Sequence, residues 1–268
     1  MQTLSEIRSI LAERGLRPKH RLGQNFLHDK NILSKLVEAA DISHGELVLE
    51  IGPGTGTLTE TLLEKQAQLI ACELDASLAD IIQDRLGEKL KLIKGDCLDS
   101  HRKLSAEIVA ALGDRPFKLI ANLPYQIASP LMCTLLINHP YCTGQFITIQ
   151  KEVAQRLLAS PSTKEYGPLS IIVGALADVK RICTIKPTCF WPQPKVESAM
   201  VSIIPKQNFQ LEHPESFARF VTELFTKRRK QLGSILGKDI NWPDGVTADL
   251  RPEALTVDQI IELALTIN

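Results

Sequence analysis

Short apolar runs alternate with amphipathic segments over the first 150 residues of the chain. The apolar runs fall at residues 47–51, 69–72, 90–93, 117–121 and 146–149, and each is separated from the next by enough chain for a crossover helix. Buried strands that alternate with helices are typical of a parallel sheet with helices on both faces. The pattern therefore predicts an α/β fold with a mostly parallel, doubly wound sheet.

The pattern changes after residue 150. Helical segments are expected at residues 151–159 and 166–177, and two apolar runs at residues 179–185 and 196–204 flank a proline-rich link. Two runs of strand type on either side of a short link favour antiparallel pairing. We therefore expect an antiparallel arrangement that closes one edge of the sheet.

The chain is expected to divide into two domains. Beyond a polar, turn-rich stretch, residues 217–236 and 257–265 have helical periodicity. This pattern predicts a larger α/β domain at residues 1–205 and a small helical domain at residues 206–268. The larger domain would open with a short helix and a basic arm, together residues 1–28.

Composition narrows the class of protein. No apolar run approaches the length of a membrane span, and the N-terminal segment has neither the apolar core of a signal peptide nor the acid-poor character of a transit peptide. The six cysteines form no C-x-x-C pair, and no histidine pair has metal-ligand spacing. We expect a cytoplasmic protein without a membrane partner and without a metal.

Basic residues are concentrated in two places although the formal net charge of the chain is zero. The first is the arm around residues 14–21, and the second is the run at residues 227–230, within a segment that has a clear excess of cations. Such clusters either form solvated surfaces or contact phosphates. The candidates for phosphate contact are Arg17, Lys19, Arg21, Lys227, Arg228, Arg229 and Lys230.

A glycine turn follows the first predicted strand of the sheet. Its glycines are Gly52, Gly54 and Gly56, and a helical pattern begins at Thr57. The dinucleotide fingerprint G-x-G-x-x-G would need glycine at position 57, and no Gly-Lys-Ser or Gly-Lys-Thr of a P-loop follows. The turn is either a tight connection without a ligand or a close backbone approach to one.

Two carboxylates follow the next two strands. Glu73 ends the second strand, and Asp96 follows the third. Either could be a solvated loop residue or a helix cap. Because the carboxyl ends of parallel strands meet at one crevice, we favour a nucleoside-type ligand, with Glu73 accepting from ribose hydroxyls and Asp96 from an adenine amine.

The fourth strand runs into Asn122-Leu-Pro-Tyr125. An aromatic exocyclic amine is a poor nucleophile because its lone pair is delocalised, and acceptors around its hydrogens favour the pyramidal, reactive form. The Asn122 side chain and the Leu123 carbonyl can act as such acceptors, Pro124 stiffens the turn, and Tyr125 offers a face to a base. The alternative is an ordinary turn, since asparagine and proline are common in turns.

The sequence closely resembles the ribosomal RNA adenine dimethyltransferase family, in its bacterial small-subunit branch. The similarity extends from about Leu22 to Lys230. The motifs that carry it are Gly23-Gln-Asn-Phe-Leu27, Glu50-Ile-Gly-Pro-Gly-Thr-Gly56, Glu73-Leu-Asp75, Gly95-Asp96, Asn122-Leu-Pro-Tyr125, Gln150-Lys-Glu-Val-Ala154, Tyr166-Gly-Pro-Leu-Ser170, Phe190-Trp-Pro-Gln-Pro-Lys-Val-Glu-Ser-Ala199 and Lys227-Arg-Arg-Lys230.

The resemblance implies a class I, Rossmann-like methyltransferase fold with a helical C-terminal domain. The implied reaction transfers methyl groups from S-adenosylmethionine to N6 of two adjacent adenosines near the 3′ end of small-subunit ribosomal RNA, with S-adenosylhomocysteine as by-product. The implied partner is the immature small ribosomal subunit, and we expect the enzyme to act as a monomer.

The resemblance also implies roles for individual residues. Tyr125 and Phe190 would sandwich the flipped adenine, and Asn122 would serve both the target amine and the cofactor. Without the family, residues 23–27 read as plain linker and Phe190 as part of a rigid turn. The residues implied to contact the cofactor are Asn25, Leu27, Gly52, Glu73, Asp96 and Asn122.

Two alternatives remain open on the sequence. One is the related branch that methylates an adenosine of large-subunit ribosomal RNA and confers macrolide resistance. The other is a ribosome-assembly or RNA-binding factor that keeps the fold without catalysis, although a pure binding protein has no physical need for the complete set of Gly52, Glu73, Asp96 and the turn at residues 122–125.

Overall fold

A computed structural model describes residues 1–207, 211–238 and 240–267 of the chain. The helices are α1 Leu4–Glu13, α2 Lys30–Ala40, α3 Thr57–Glu64, α4 Ala76–Leu86, α5 Ala106–Leu112, α6 Tyr125–Asn138, α7 Lys151–Leu157, α8 Pro168–Leu176, α9 Pro214–Thr226, α10 Leu232–Leu236 and α11 Val257–Ile267. The strands are β1 Phe26–Leu27, β2 Leu47–Ile51, β3 Gln68–Glu73, β4 Lys91–Lys94, β5 Phe117–Asn122, β6 Cys142–Gln150, β7 Ala177–Ile185, β8 Phe190–Trp191 and β9 Ser198–Pro205.

Seven of these strands form one sheet in the order β4-β3-β2-β5-β6-β9-β7. The pairings of β2 with β3 and β5, of β3 with β4, and of β5 with β6 are parallel, whereas β9 runs antiparallel to β6. The predicted mostly parallel sheet with an antiparallel strand toward one edge is therefore confirmed. The strand order reverses at β2, which places a crevice at the carboxyl ends of β2 and β5.

The central strand β2 is buried along its whole length. Helix α2 covers one face of the sheet. Its Leu33, Leu36 and Val37 pack in a cluster with Ile120 of β5, Phe146 of β6 and Met200 of β9. Burial on both sheet faces explains why the sequence shows continuous apolar runs here instead of an alternating pattern.

Helix α1 is a packed element and not a loose extension. A capping box fixes its start, because the Thr3 side chain accepts from the Glu6 N–H and the Glu6 carboxylate accepts from the Thr3 N–H. Its buried residues Ile7 and Leu11 pack in a cluster with Phe26 and with Leu78 of α4. The arm, which follows α1 and extends to residue 28, is thereby attached to the body of the sheet domain.

The chain forms two compact units. The first contains Met1–Ala154 and Lys180–Ile204, and the second contains Gln155–Val179 and the described residues from Pro205 onward. The predicted boundary at residues 205 and 206 stays a prediction, and the second unit also takes in residues 155–179, which the sequence placed in the first domain. Residues 208–210, 239 and 268 of the predicted helical domain lie outside the described residues.

The second unit is centred on a buried tyrosine. The Tyr166 hydroxyl donates to the Leu255 carbonyl at 2.8 Å, and its ring meets Phe225 edge to face, with 6.2 Å between the centroids. Residue 166 opens the segment that leads into α8, and α8 packs with α9 and α11. This packing explains why residues 155–179 join the C-terminal helices.

The helical periodicity at residues 217–236 does not correspond to one helix. Helix α9 ends at Thr226, and α10 begins at Leu232. The four cations at residues 227–230 form the turn between them, and the Lys227 N–H bonds back to the Leu224 carbonyl. Cations at a helix C-terminus interact favourably with the helix dipole, which is consistent with an end at this point. No helix in the described residues is long and apolar enough to cross a membrane.

Candidate functional site

A cavity lies at the carboxyl ends of the central strands, within the first compact unit. All ten residues predicted for catalysis or cofactor binding line it. They are Asn25, Leu27, Gly52, Glu73, Asp96, Asn122, Leu123, Pro124, Tyr125 and Phe190. Segments separated by as many as 165 residues in the sequence therefore converge on one site.

The glycine turn forms the floor of this cavity through backbone that only glycine adopts easily. Gly52, Gly54 and Gly56 have φ values of 72°, 62° and 94°. A Cβ atom on Gly54 would lie 2.9 Å from Cε1 of Phe26. The lack of a side chain at position 54 consequently leaves room for the Phe26 ring beside the turn.

Glu73 is a buried carboxylate with capacity to spare for a ligand. Its Oε2 accepts from the Gly54 N–H at 3.1 Å, and its Oε1 accepts from the Asp75 N–H at 2.9 Å. Burial raises the pKa of this carboxyl, and the two backbone N–H groups act in the opposite direction. Each oxygen accepts one backbone bond, so each retains a lone pair for a ribose hydroxyl.

Asp96 lies after β4 and is exposed. Its Oδ1 accepts from the Leu98 N–H at 3.0 Å, which fixes the side chain as an Asx-type turn. The second carboxylate oxygen has no protein donor among the described residues and can accept from an adenine amine. Glu73 and Asp96 thus place carboxylate acceptors in the same cavity, and their contacts with ribose and adenine stay predictions.

Glu50 is a cavity residue that the sequence analysis did not assign to a role. It is 1% exposed, and the Thr59 hydroxyl donates to its Oε2 at 2.8 Å. Burial raises the pKa of Glu50 to about 8, with the nearby Glu73 charge adding to the shift and Thr59 opposing it. The sequence could have pointed to Glu50, because it is a carboxylate within the apolar run Leu47–Ile51. Charged residues are almost never fully buried without a reason.

The arm is held against the end of β3 by a polar network. The Lys19 ammonium pairs with Oδ1 of Asp75 at 2.8 Å, and the Gln24 amide donates to Oδ2 at the same distance. Gln24 also accepts from the Lys19 backbone N–H at 2.7 Å. The network fixes residues 19–24 directly before the two cavity residues Asn25 and Leu27.

The three arm cations predicted to contact phosphates differ in whether the protein itself binds them. Lys19 is engaged with Asp75, whereas Arg17 and Arg21 are exposed and have no hydrogen bond or ion pair among the described residues. The sequence showed one run of cations and gave no sign of this division, since the partner of Lys19 lies 56 positions further along the chain.

Asn122 is oriented by the arm. Its Nδ2 donates to the Asn25 carbonyl at 3.0 Å, so its side-chain oxygen is left as an acceptor within the cavity. Pro124 precedes α6 and lies beside the glycine turn, since a Cβ atom added to Gly52 would be 3.5 Å from its Cδ. Leu123 between them is buried. The turn is therefore held from two sides, by the arm and by the glycine turn.

The two aromatic residues predicted to hold a base also reach this cavity. The Tyr125 hydroxyl shares a hydrogen bond of 2.7 Å with the Ser198 hydroxyl. Phe190 is 2% exposed and lies in β8, directly opposite Leu27 of β1 in an antiparallel pair. Their role as a base sandwich stays a prediction.

The second cluster of predicted phosphate contacts lies in the second compact unit. Arg228 pairs with Glu253 at 2.9 Å and donates to the Lys164 carbonyl at 3.4 Å. Lys227, Arg229 and Lys230 are exposed, and their side chains have no partner in the parts of the chain that the structure describes. These three cations are available to phosphates, and Arg228 is partly occupied by the protein itself.

The cavity fits S-adenosylmethionine on the observations above. It has a glycine turn for close approach, a buried carboxylate with one free lone pair on each oxygen and a second carboxylate oxygen for the adenine amine. The described residues contain no group of three or more histidine, cysteine, aspartate or glutamate side chains that could hold a metal ion. The prediction that the enzyme works without a metal stays a prediction.

The doubly wound sheet has this cavity at the carboxyl ends of its strands, and an Asn-Leu-Pro-Tyr turn after β5 lines the cavity. Together these features define a class I methyltransferase. Comparison with known proteins gives the family. The family model described as ribosomal RNA adenine dimethylase matches residues 15–267. The chain belongs to the ribosomal RNA adenine dimethylase family.

Relatives of the chain include two proteins named Ribosomal RNA small subunit methyltransferase A. The one from Lactobacillus helveticus is 40% identical, and the alignment covers 94% of this chain and 92% of the relative. The one from Chlorobium luteolum is also 40% identical, with 91% and 88% covered. The predicted family is thereby confirmed, and with it the assignment as an S-adenosylmethionine-dependent enzyme that methylates adenine in ribosomal RNA.

Two solved structures are similar over most of the chain. A dimethyladenosine transferase from Plasmodium falciparum is 27% identical with a TM-score of 0.73, covering 90% of this chain and 96% of that one. The 23S rRNA methyltransferase ErmE is 23% identical with a TM-score of 0.64, covering 91% and 99%, and supports the fold alone. The predicted class I fold is confirmed.

Proposed function

We propose that this chain transfers methyl groups from S-adenosylmethionine to N6 of two adjacent adenosines near the 3′ end of small-subunit ribosomal RNA. The product is N6,N6-dimethyladenosine, and the substrate is the RNA of an immature small subunit. The observation that carries the proposal is the hydrogen bond from the Asn122 amide to the Asn25 carbonyl. It directs a side-chain acceptor toward a cavity that also contains Glu73 and Asp96.

The small subunit is favoured over the large one by the names and the coverage of the relatives. Proteins named for the small ribosomal subunit are up to 40% identical over more than nine tenths of the chain. The large-subunit enzyme ErmE is 23% identical, a level that carries no argument about substrate. A cytoplasmic location and a monomeric state are parts of the same proposal, as is a division into domains at residues 1–205 and 206–268.

The cofactor site would be formed by six residues of the cavity. Glu73 would accept from the ribose hydroxyls and Asp96 from the adenine amine of the cofactor, while Gly52 lets the backbone approach closely. Asn25, Leu27 and Asn122 would close the other side. When bound, S-adenosylmethionine supplies an electrophilic methyl group on a sulfonium centre.

Asn122 and the Leu123 carbonyl would accept from the two hydrogens of the target N6. These acceptors favour a pyramidal nitrogen whose lone pair points at the methyl carbon, and they stabilise the positive charge that develops. S-adenosylmethionine would supply the methyl group for the new N–C bond, and its sulfur would keep the electron pair of the C–S bond that is broken. The proton then leaves N6 for water, and the regenerated amine can accept a second methyl group.

The target adenine would be flipped out of its stack and held between Tyr125 and Phe190. Binding of the RNA backbone would rest on the exposed cations Arg17, Arg21, Lys227, Arg229 and Lys230. Lys19 and Arg228 are predicted to share this role, and in the free protein they form ion pairs with Asp75 and Glu253.

Methyl transfer to purified ribosomal subunits tests the proposal. Small and large subunits that lack the modification are incubated with labelled S-adenosylmethionine, and the RNA is digested to nucleosides. We expect N6,N6-dimethyladenosine from small subunits, loss of the product with Asn122→Ala, and full activity with Asn31→Ala, an exposed asparagine of α2.

The other outcomes distinguish the alternatives. Label in large-subunit RNA alone would reassign the enzyme to the resistance-type branch. Tight binding to small subunits without any transfer would identify a non-catalytic assembly factor.

A further inference from the structure

The hydroxyl group of Tyr125 has no part in stacking on a base. Phenylalanine would present the same face, yet the Tyr125 hydroxyl lies 2.7 Å from the Ser198 hydroxyl in a hydrogen bond. Ser198 is 0% exposed, and its side chain has no other hydrogen-bond partner among the described residues. The side chain of this buried serine therefore forms its hydrogen bond with Tyr125, a residue of the predicted base site.

The sheet register shows how far this contact reaches. Ser198 is the first residue of β9 and lies opposite Gln150 of β6, while Asn122 at the end of β5 lies on the other side of β6, opposite Thr148. Tyr125 follows β5 by three residues and therefore spans β6 to reach β9. The hydrogen bond fixes the turn after β5 to a strand that is not its direct neighbour.

The segment that contains Ser198 also contains Phe190. Phe190 lies in β8 and lines the same cavity as Tyr125. One stretch of nine residues, 190–198, therefore presents Phe190 directly as one aromatic wall and restrains the other wall, Tyr125, through its hydroxyl.

We propose that Ser198 is a positioning residue for methyl transfer, which fixes the Tyr125 ring relative to Phe190 so that the clamped adenine presents N6 to Asn122. The inference rests on the proposed function. A tyrosine ring without a tether rotates about two side-chain torsions, whereas a hydrogen bond at its far end restricts both. Misplacement of a reacting group by about 1 Å is enough to slow an enzymatic step by two orders of magnitude.

The contact is also expected to persist under working conditions. Burial raises the pKa of the Tyr125 hydroxyl, so the phenol stays protonated at neutral pH and keeps its capacity to donate. Loss of the hydrogen bond should act on the chemical step. Cofactor affinity should not change, because Ser198 does not line the cavity.

A double-mutant cycle on the full-length chain tests the inference. Wild type, Ser198→Ala, Tyr125→Phe and the double variant are compared in single-turnover methylation of small subunits at saturating RNA and cofactor. Binding of S-adenosylhomocysteine is measured by calorimetry, and melting temperature is measured in parallel. The matched control is Ser202→Ala, four residues further along β9, whose side chain has no hydrogen bond among the described residues.

We expect each single variant to lower the rate by roughly five- to tenfold, as for loss of one hydrogen bond of ordinary strength. The double variant should be no slower than either single variant, since both remove the same bond. Affinity for S-adenosylhomocysteine should stay within about twofold in every variant, as should the rate of Ser202→Ala.

Three results would overturn the inference. They are a wild-type rate for Ser198→Ala, rate losses that multiply in the double variant, and a parallel loss of S-adenosylhomocysteine affinity, which would indicate general damage to the fold. If Ser198→Ala does not fold, Tyr125→Phe removes the same bond and leaves the packing of Ser198 intact. A wild-type chain that methylates neither subunit would remove the proposed function and this inference together.

Discussion

The side-chain amide of Asn122 donates a hydrogen bond of 3.0 Å to the backbone carbonyl of Asn25. The first residue belongs to the turn after β5, and the second belongs to the arm that precedes α2. Because Nδ2 is engaged with Asn25, the side-chain oxygen of Asn122 is left as its side-chain acceptor for a substrate amine. The orientation of the proposed catalytic residue thus depends on the arm.

Asn122→Asp should lose this orientation. A carboxylate cannot donate to the Asn25 carbonyl, and its charge would be repelled by that oxygen, so the side chain would turn away from its position in wild type. We expect the single-turnover rate to fall by about a hundredfold or more, as when one oriented polar group is removed from other active sites. A variant that keeps more than a tenth of the wild-type rate would show that the donor to Asn25 is dispensable.

Lys19 and Arg17 should behave differently although they lie two residues apart. Lys19→Met removes the ion pair with Asp75 and loosens the arm, so affinity for S-adenosylhomocysteine should fall by roughly three- to tenfold in calorimetry. Arg17→Met should leave cofactor affinity unchanged and weaken binding to small subunits. Equal effects of the two substitutions on cofactor affinity would contradict the network of Lys19, Gln24 and Asp75.

Gly54→Ala should disturb both stability and cofactor binding. The added Cβ would lie 2.9 Å from the Phe26 ring at a φ of +62°, so the arm must move. Gly45→Ala is the control, because its φ is +74° and no atom lies within 4 Å of the added Cβ. The strained backbone conformation of alanine should lower the free energy of unfolding by about 1 kcal/mol in both variants. Only Gly54→Ala should lower cofactor affinity, by tenfold or more. The check is denaturant unfolding together with calorimetry.

The buried carboxyl of Glu50 should make the cofactor-free protein less stable at alkaline pH. Burial raises its pKa from 4.5 in the unfolded chain to about 8 in the folded protein, so the folded state binds more protons between these values. The free energy of unfolding should therefore fall as pH rises from 6 to 8.5, by up to about 3 kcal/mol. Glu50→Gln keeps the oxygen that accepts from Thr59 and should flatten this slope. Identical slopes in the two proteins, measured by urea unfolding, would mean that Glu50 does not titrate in this range.

The cations at residues 227–230 allow a test of phosphate contact at single-residue level. Replacing Arg228 and Arg229 is expected from the sequence to weaken subunit binding and its salt dependence. The ion pair of Arg228 with Glu253 refines this expectation, because of these two arginines Arg229 is the one without a protein partner among the described residues. Arg229→Ala should lower the logarithmic salt slope of binding by about one, without loss of stability. An unchanged slope would remove this cluster from the RNA interface.

The sheet and seven of the ten predicted cavity residues could be predicted from local signals in the sequence. The apolar runs fix the strands, and position at a strand end is enough to select Gly52, Glu73 and Asp96. Boundaries shifted by a few residues, as β6 begins at Cys142 and not near residue 146. This shift arises because a strand that mixes Thr, Gly and Gln with apolar residues has no clear start in the sequence.

The remaining three cavity residues were accessible only through the family resemblance. Asn25, Leu27 and Phe190 lie in or beside strands of two residues, β1 and β8, which pair with each other across more than 160 positions. Two residues are too few to show periodicity, so nothing local distinguishes them from linker. The contacts of Lys19 with Asp75 and of Tyr125 with Ser198 also join residues far apart in the sequence, so no local pattern predicts them.

The pairing of β1 with β8 connects the place where the cofactor would sit to the place where the base would sit. Phe26 lies opposite Trp191 and Leu27 opposite Phe190, and the Phe26 and Trp191 rings stack with 6.4 Å between their centroids. Because the two strands share backbone hydrogen bonds and a ring stack, any displacement of residues 26–27 is transmitted to residues 190–191. The exchange of a spent cofactor and the release of a nucleotide would therefore be coupled if either of them displaced its strand.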